Sequence, residues 1–147
     1  MTSNAERAAT LVDALRAGLA RDREVLHRLL TEDVLAWTPS LSTTSLSELI
    51  DALDRRDPAF ADIDLNVAPL DVGGDYACVE WTVEMTHVGA ITLADDRRVE
   101  PTGIRVAVHG VTVAEFEDER ICSVRQYWDE FAVLEQLGVL EGETPNS

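Results

Sequence analysis

The chain has 147 residues, of which 46% are hydrophobic and 27% charged, a composition that suits one globular domain with its own core. Its formal net charge of −16 argues against nucleic acid and anionic membranes as partners, because phosphate binding needs clustered Lys and Arg. No apolar run approaches the ~18 residues of a membrane span. The N-terminal sequence lacks the basic-then-apolar pattern of a secretory signal, so a cytoplasmic protein is expected.

Helical spacing of apolar residues dominates the first part of the chain. Apolar positions in the ranges Ala8 to Leu19, Val25 to Leu30 and Leu46 to Leu53 predict three helices. The side chains placed to cap their N-termini are Ser3 with Glu6, Asp22, and Ser45 with Glu48. We expect Asp57-Pro58 to end the third helix, and the short apolar segment Asp33 to Trp37 to form a brief strand.

After residue 60 the apolar period changes from helical to alternating, which predicts strands. In chain order, the expected elements are Ile63–Val67, a hairpin turn at Gly73-Gly74, Tyr76–His87, a polar loop over 95–103, Ile104–Phe116, an acidic turn at Glu117–Glu119, and Ile121–Asp129. A closing helix is predicted over Phe131–Leu137, with Gly138 placed to end it.

Helices followed by antiparallel strands indicate an α+β domain, which we expect to span residues 1–147 with a flexible tail over 141–147. A cone-shaped, curved antiparallel sheet should wrap around the N-terminal helices and leave a pocket between sheet and helices. The sequence has no phosphate-binding Gly-rich loop, and Cys78 and Cys122 form no CxxC pair. We therefore expect neither a nucleotide cofactor nor a metal.

The C-terminal third of the chain carries a family resemblance. Residues 102–138 read TGIRVAVHGVTVAEFEDERICSVRQYWDEFAVLEQLG: a Thr-Gly pair, a long strand with a central glycine, an acidic turn, a strand ending in Asp, and a helix ending in Gln-Leu-Gly. This string resembles the SnoaL-like polyketide cyclases, a branch of the nuclear transport factor 2-like fold. The N-terminal helices also fit, so the resemblance covers most of the chain.

The resemblance implies a catalytic residue at the end of the last strand. Asp129 falls where the family has a general acid/base, and Arg125 and Tyr127 share its strand parity, so they would orient it or hold a substrate oxygen. Glu115 lies where the family carries a second polar group. It would form a pair with Asp129, in which repulsion separates the two pKa values.

Further residues are expected to shape the pocket or bind substrate, namely Trp37, Trp81, His87, His109, Val111 and Val113. Structural alternatives stay open for several of these residues. Asp129 could cap the closing helix, Glu115 could be a solvated edge residue, and His87 could be a structural histidine. Trp128 has the opposite parity from Asp129, which places it on the outer sheet face, where this fold often forms a dimer interface.

The leading hypothesis is a cofactor-independent cyclase or isomerase that acts on a hydrophobic, polyketide-like small molecule by general acid/base catalysis. A second hypothesis is an epoxide hydrolase or epoxide-opening cyclase, because the spacing Arg125-x-Tyr127-x-Asp129 is similar to limonene-epoxide-hydrolase-like proteins. A third is a non-catalytic, small-ligand-binding dimeric domain. A homodimer is expected in each case.

Overall fold

The computed structural model describes residues 3–55, 59–92 and 96–139. It confirms the α+β class, with N-terminal helices against a large curved sheet. The predicted helix stop at Asp57-Pro58, the start of the polar loop and the predicted tail over 141–147 lie outside these ranges. No helix among the described residues is long and apolar enough to cross a membrane.

The described residues contain four helices, and these are α1 (Asn4–Ala20), α2 (Arg23–Leu29), α3 (Leu46–Arg55) and α4 (Glu130–Gln136). The capping box predicted for α1 is present in both directions. The Ser3 N–H donates to Glu6 Oε1 at 2.9 Å, and the Glu6 N–H donates to Ser3 Oγ at 3.1 Å. Asp22 caps α2 by accepting the Val25 N–H, so these two helix starts are where the sequence placed them.

The N-terminus of α3 differs slightly from the prediction. Ser45 Oγ accepts the Glu48 N–H at 3.1 Å, as a capping box requires. The Glu48 carboxylate, however, accepts the backbone N–H and the hydroxyl of Thr44 rather than the N–H of Ser45. Glu48 therefore ties the helix to the residue before its cap.

Eight strands form among the described residues: β1 (Leu30–Thr38), β2 (Leu41–Thr43), β3 (Phe60–Leu70), β4 (Tyr76–His87), β5 (Ile91–Thr92), β6 (Arg98–Val99), β7 (Arg105–Glu117) and β8 (Arg120–Trp128). Six of them form one sheet in the order β2-β1-β8-β7-β4-β3, and β5 pairs with β6. The sheet is mixed rather than purely antiparallel, because β1 runs parallel to β8. The sequence predicted β4 with its correct bounds but missed the short strands β2, β5 and β6.

The helices cover only one face of the six-stranded sheet, which we call the inner face. Two clusters of buried side chains lie there, one beneath α1, α2 and α3 and the other beneath α4. The members of the second cluster, including half-buried ones, are Leu15, Phe60, Leu65, Val67, Trp81, Val83, Met85, Ile91, Val106, Val108, Trp128, Val133, Leu137 and Val139. We call this second group the inner cluster, and we call the uncovered face of the sheet the outer face.

The closing helix is anchored to the sheet where β8 stops. β8 pairs with β7 only as far as Trp128 opposite Gly110, which leaves Ala107 without a β8 partner. Gln136 replaces that partner: its side chain accepts the Ala107 N–H and donates to the Ala107 carbonyl, both at 2.9 Å. This pair of hydrogen bonds holds α4 over the inner cluster.

Candidate functional site

The site residues predicted from the sequence lie on opposite faces of the sheet. Trp81 and His87 are buried on the inner face, as the alternation in β4 predicted. The strand residues that project from the outer face are Trp37, His109, Val111, Val113, Glu115, Arg125 and Tyr127. The expectation that β7 and β8 turn these residues toward the interior of the cone is therefore wrong.

Alternation does not identify the inner face of β7, because both of its faces are apolar. Val106 and Val108 are buried on the inner face, while Val111 and Val113 are half-buried on the outer face. Alternation alone separates two faces only when one of them is polar. The register decides between them, because it places Gly110 directly opposite the inward-facing Trp81.

A groove of about 430 Å³ lies on the outer face, beside the parallel strands β1 and β8. Its aromatic wall is formed by Trp37 and Tyr127, whose ring centroids are 5.2 Å apart at an interplanar angle of 42°. The groove is lined by Leu35, Ala36, Trp37, Ser42, Thr43, Thr44, Ser123, Val124, Arg125 and Tyr127. Arg125 is the single charged residue of that lining, so the groove combines apolar area, hydroxyl groups and one cation.

A smaller hollow of about 40 Å³ adjoins this groove. It shares Ser123 and Arg125 with the groove and adds Tyr76, Val113 and Glu115. Neither Arg125 nor Glu115 forms an ion pair with any residue in the described parts of the chain. Two opposite charges therefore flank one hollow, and neither is neutralised by a partner there.

Asp129 caps α4, which confirms the structural alternative for this residue. Its Oδ1 accepts the Ala132 N–H at 3.1 Å, and the residue is exposed. The residues on either side of the cap, Trp128 and Val133, both belong to the inner cluster. Asp129 thus lies at the rim of the inner cluster and does not share the outer groove with Arg125 and Tyr127.

The expected pairing of Glu115 with Asp129 is wrong. Glu115 lies opposite Ser123, whereas Trp128, the neighbour of Asp129, lies opposite Gly110. Six residues of strand therefore separate the two carboxylates, or about 20 Å at ~3.3 Å per residue. At that separation solvent ions screen most of the repulsion between the two charges, so they do not act as a pair.

A row of three residues crosses the inner face from β4 to β8. Trp81, Gly110 and Trp128 are successive register partners, and the two indole rings lie 6.3 Å apart at 60°. The Trp81 Nε1–H donates to the fully buried Thr112 Oγ1 at 2.9 Å. Trp128 is therefore an inner residue, and the expectation that it lies on the outer face is wrong.

His87 ends β4 and has no exposed surface. Its Nδ1 accepts the Thr102 N–H at 3.1 Å and lies 2.9 Å from Thr102 Oγ1. Its ring packs against Phe60 with centroids 5.6 Å apart. Its other ring nitrogen, Nε2, is buried and has no hydrogen-bond partner within the described structure.

Thr102 was missed as a site residue, although the chain offered a signal for it. Thr102-Gly103 begins the string that resembles the family, and the side chain and backbone N–H of Thr102 both contact His87, fifteen residues earlier. The other histidine of the prediction does not join this site. His109 Nδ1 lies 3.0 Å from Thr82 Oγ1 on the outer face.

The two thiols are not placed for nucleophilic catalysis. Burial raises the pKa of Cys78, and the charge of Glu80 adds to this effect. Burial also raises the pKa of Cys122, with Glu115 as the largest charge contribution. Among the residues that the structure describes, no group of three or more His, Cys, Asp or Glu side chains is arranged to hold a metal ion.

Comparison with known proteins agrees with this architecture. The family model for SnoaL-like polyketide cyclases matches residues 9–137, which include all four helices except the first turn of α1. No curated protein sequence matches the chain.

Solved structures with the same fold share little sequence with this chain. A candidate SnoaL-like polyketide cyclase from Jannaschia sp. CCS1 is 18% identical with a TM-score of 0.75, covering 91% of this chain and 92% of its own. IdmH from Streptomyces antibioticus, a candidate polyketide cyclase, is 20% identical with a TM-score of 0.73, covering 91% and 99%. An LEH-like epoxide hydrolase from M. tuberculosis is 16% identical with a TM-score of 0.68, covering 97% and 98%. These structures support the fold, and the family match over residues 9–137 shows that the chain belongs to the SnoaL-like polyketide cyclases.

Proposed function

We propose that this protein is a cofactor-independent cyclase or isomerase that acts on a hydrophobic, polyketide-like small molecule at the inner cluster, with Asp129 as the acid/base. The observation that supports this role is the position of Asp129 at the rim of that cluster, between Trp128 and Val133. One carboxylate oxygen caps α4, and the described residues provide no partner for the other. An exposed carboxylate beside apolar aromatic side chains can exchange protons with solvent and reach a bound hydrophobic substrate.

The proposed reaction needs no group beyond this carboxylate. Asp129 takes a proton from a carbon next to a substrate carbonyl, which forms an enolate. The enolate carbon bonds to a second carbonyl carbon of the same molecule and closes a ring. The resulting alkoxide takes the proton back from Asp129, so protons and electrons balance without a cofactor or a second reactant.

Replacement of Asp129 by Asn separates catalysis from folding. Asn caps helices about as well as Asp, so Asp129→Asn should leave α4 intact while it removes the proton-transfer group. We expect turnover of linear aromatic diketones that can close by an aldol step to fall ~10²- to 10⁴-fold. If Asp129→Asn turned over such a diketone at the wild-type rate, Asp129 would not be the acid/base.

Asp22→Asn is a matched control, because Asp22 is also an exposed N-cap carboxylate. Asp22 caps α2, and neither it nor α2 belongs to the inner cluster. This variant should retain wild-type turnover, and a loss equal to that of Asp129→Asn would indicate a general effect of removing acidic caps.

Epoxide opening has weaker support from the geometry. The residues of the Arg125-x-Tyr127-x-Asp129 spacing do not converge, because Arg125 and Tyr127 line the outer groove while Asp129 caps α4. Incorporation of oxygen from labelled water into a diol product would favour this second function over ring closure.

We also propose that the outer face binds a second copy of this chain. Trp37 and Tyr127 keep 42% and 45% of their surfaces exposed there, far more than aromatic residues buried in a core. The groove lining lacks acidic residues, although the whole chain carries a net charge of −16. Within the groove, two such acidic chains would therefore meet without opposing carboxylates.

The unpaired charges beside the groove suit a two-fold interface. Arg125 and Glu115 flank the same hollow, so a two-fold axis near it would set Arg125 of each copy against Glu115 of the other. Arg125→Glu and Glu115→Arg should each yield monomers in sedimentation at micromolar concentration. An equimolar mixture should form dimers, because both cross-pairs then join opposite charges.

The matched control is Phe131→Ser on α4, which removes an aromatic ring that is 61% exposed but lies away from the outer face. This variant should remain dimeric. A monomeric wild-type protein, or dimers that survive both charge reversals, would contradict assembly through the outer face.

A further inference from the structure

The imidazole of His87 is held in one tautomer by the backbone. A peptide N–H can only donate a hydrogen bond, so the 3.1 Å contact from the Thr102 N–H requires a lone pair on His87 Nδ1. The Ile104 N–H donates to Thr102 Oγ1, which leaves the threonine hydroxyl hydrogen free to point at the same Nδ1. In the neutral ring the proton must then be on Nε2, which makes Nε2 a donor.

The position of this ring is also fixed. The His87 N–H donates to the Ile104 carbonyl at 2.9 Å, and the His87 carbonyl accepts the Gly103 N–H at 2.9 Å. Together with the Nδ1 contact, these bonds tie the backbone and the ring of His87 to residues 102–104. The Nε2–H therefore has a direction set by the fold, as a preorganised ligand contact requires.

The surroundings of Nε2 leave its hydrogen-bonding capacity unused. The nitrogen is buried, and the described residues offer it no acceptor. Buried donors in native proteins almost always have a partner, and a buried water needs two or more polar groups to hold it. On its own face His87 is flanked by Phe60 and Met85, which offer no oxygen.

We propose that the His87 Nε2–H is the hydrogen-bond donor for a neutral carbonyl oxygen of the ligand that binds at the inner cluster. This inference rests on the proposed function, for which it specifies the substrate class and a binding residue. A neutral carbonyl fits because its oxygen can accept the Nε2–H and brings no charge that would have to be desolvated among the apolar side chains of the inner cluster. The ring of Phe60, whose centroid lies 5.6 Å from that of the imidazole, favours an aromatic ketone.

Entry of a ligand to this buried nitrogen requires a neighbouring side chain to move. Met85 lies two residues before His87 on the same face and is only half-buried. Its unbranched side chain can change rotamer without a change in the backbone. We therefore assign Met85 as the residue that makes room for the carbonyl.

Tetralone, a bicyclic aromatic ketone, and tetralin, the same skeleton without the carbonyl, provide matched probes. Equilibrium dialysis should show wild-type protein binding tetralone more tightly than tetralin, and the bound carbonyl stretch should shift to lower frequency in the infrared spectrum. His87→Asn keeps an acceptor for the Thr102 N–H but has no group at the Nε2 position. It should weaken tetralone binding about 5- to 30-fold, leave tetralin binding unchanged and abolish the infrared shift.

A measurement on the unmodified protein covers the case in which His87→Asn fails to fold. Nitrogen-15 NMR of the labelled histidine rings should show His87 with a bare Nδ1 and a protonated Nε2. The opposite tautomer, or equal affinity of wild-type protein for tetralone and tetralin, would overturn the proposal.

The same probes separate this inference from the acid/base role of Asp129. Asp129→Asn should keep the preference for tetralone, because the carboxylate does not contact His87 in the proposed site. A preference that persists in a fully active Asp129→Asn variant would refute the acid/base role alone. Turnover that depends on Asp129 without any ketone preference would refute the His87 role alone.

Discussion

Replacement of Gly110 by Ala should disrupt the packing of the Trp81 ring in the inner cluster. Gly110 lies between its register partners Trp81 and Trp128, and the Trp81 ring crosses directly over it. A Cβ at this position would be 2.6 Å from the Tyr127 carbonyl oxygen and would overlap the six-membered part of the Trp81 indole. Both contacts are closer than real Cβ atoms tolerate.

The expected loss of stability has two sources. The Tyr127 carbonyl belongs to β8, which is held in register along most of β7, so relief must come mainly from movement of the Trp81 ring. Overpacking of this kind costs about 1–3 kcal/mol. A displaced ring also breaks the Nε1–H bond to the buried Thr112 hydroxyl, at about 1–3 kcal/mol. We therefore expect Gly110→Ala to lower the free energy of unfolding by about 2–6 kcal/mol.

Urea denaturation with a double-mutant cycle can test this account. In a Trp81→Leu background the indole is absent, so Gly110→Ala should cost about 2 kcal/mol less than it does in the wild type. Some cost should persist, because the contact with the Tyr127 carbonyl remains. A cost within about 0.5 kcal/mol of zero, or the same cost in both backgrounds, would refute the role assigned to the ring.

Gly18→Ala is the control for the added methyl group itself. Gly18 lies in α1, and a Cβ there would meet no atom within 4 Å. Because Ala favours helix more than Gly, this change should stabilise the protein by up to about 0.5–1 kcal/mol.

Three further predictions concern the caps and the thiols. Bonds from the backbone N–H and hydroxyl of Ser3 hold the pKa of Glu6 below its ordinary 4.5, so the stability from this carboxylate is lost as the pH falls through the lower folded-state pKa. The urea midpoint of Glu6→Gln should consequently fall less between pH 5 and 3 than that of the wild type, and equal slopes would contradict this. Asp129→Ala should lower the free energy of unfolding by about 1 kcal/mol and Asp129→Asn by a few tenths, a ranking that urea titration would disprove if the two were equal. Cys78 and Cys122 should react with Ellman's reagent at pH 7 more slowly in the folded than in the urea-unfolded protein, and equal rates would exclude the burial effect on their pKa values.

The local elements of the fold could be predicted because their signals lie within a few residues. The Ser3–Glu6 box and the Asp22 cap mark helix starts by bonds that span three residues. The twelve-residue alternation from Tyr76 to His87 gave the bounds of β4, since its inner side is apolar and its outer side is polar or small. Each of these signals reports a backbone preference that tertiary packing did not override.

The pairing of distant strands could not be predicted in the same way. β1 follows α2 directly and lies parallel to β8, which begins at Arg120. Its first residue, Leu30, was read as the last turn of a helix because leucine suits both structures. The bulge between Glu115 and Phe116 also depends on how β7 and β8 pair, so the sequence of either strand alone does not predict it.

The candidate site shows the same division between local and distant information. Alternation correctly grouped Arg125 with Tyr127 and Val111 with Val113, but it did not reveal which face the helices cover. Asp129 matched a family position, yet its cap bond depends only on the helix that follows it. The contact of His87 with Thr102 joins the end of β4 to a residue fifteen positions later, so it is visible only in the folded chain.

The placement of Arg125 and His87 on opposite faces of one sheet makes the two proposed roles separable. Arg125→Glu alters the charge of the outer face without touching the inner cluster, so the resulting monomer should still prefer tetralone to tetralin. His87→Asn changes a buried donor without altering the outer face, so it should leave the dimer intact. Gly110→Ala is expected to disturb both, because its new methyl group presses on the inward Trp81 ring and on the Tyr127 backbone beneath the outer groove. If the outer-face variant Arg125→Glu abolished the preference for tetralone as well as the dimer, ligand binding would require the dimer.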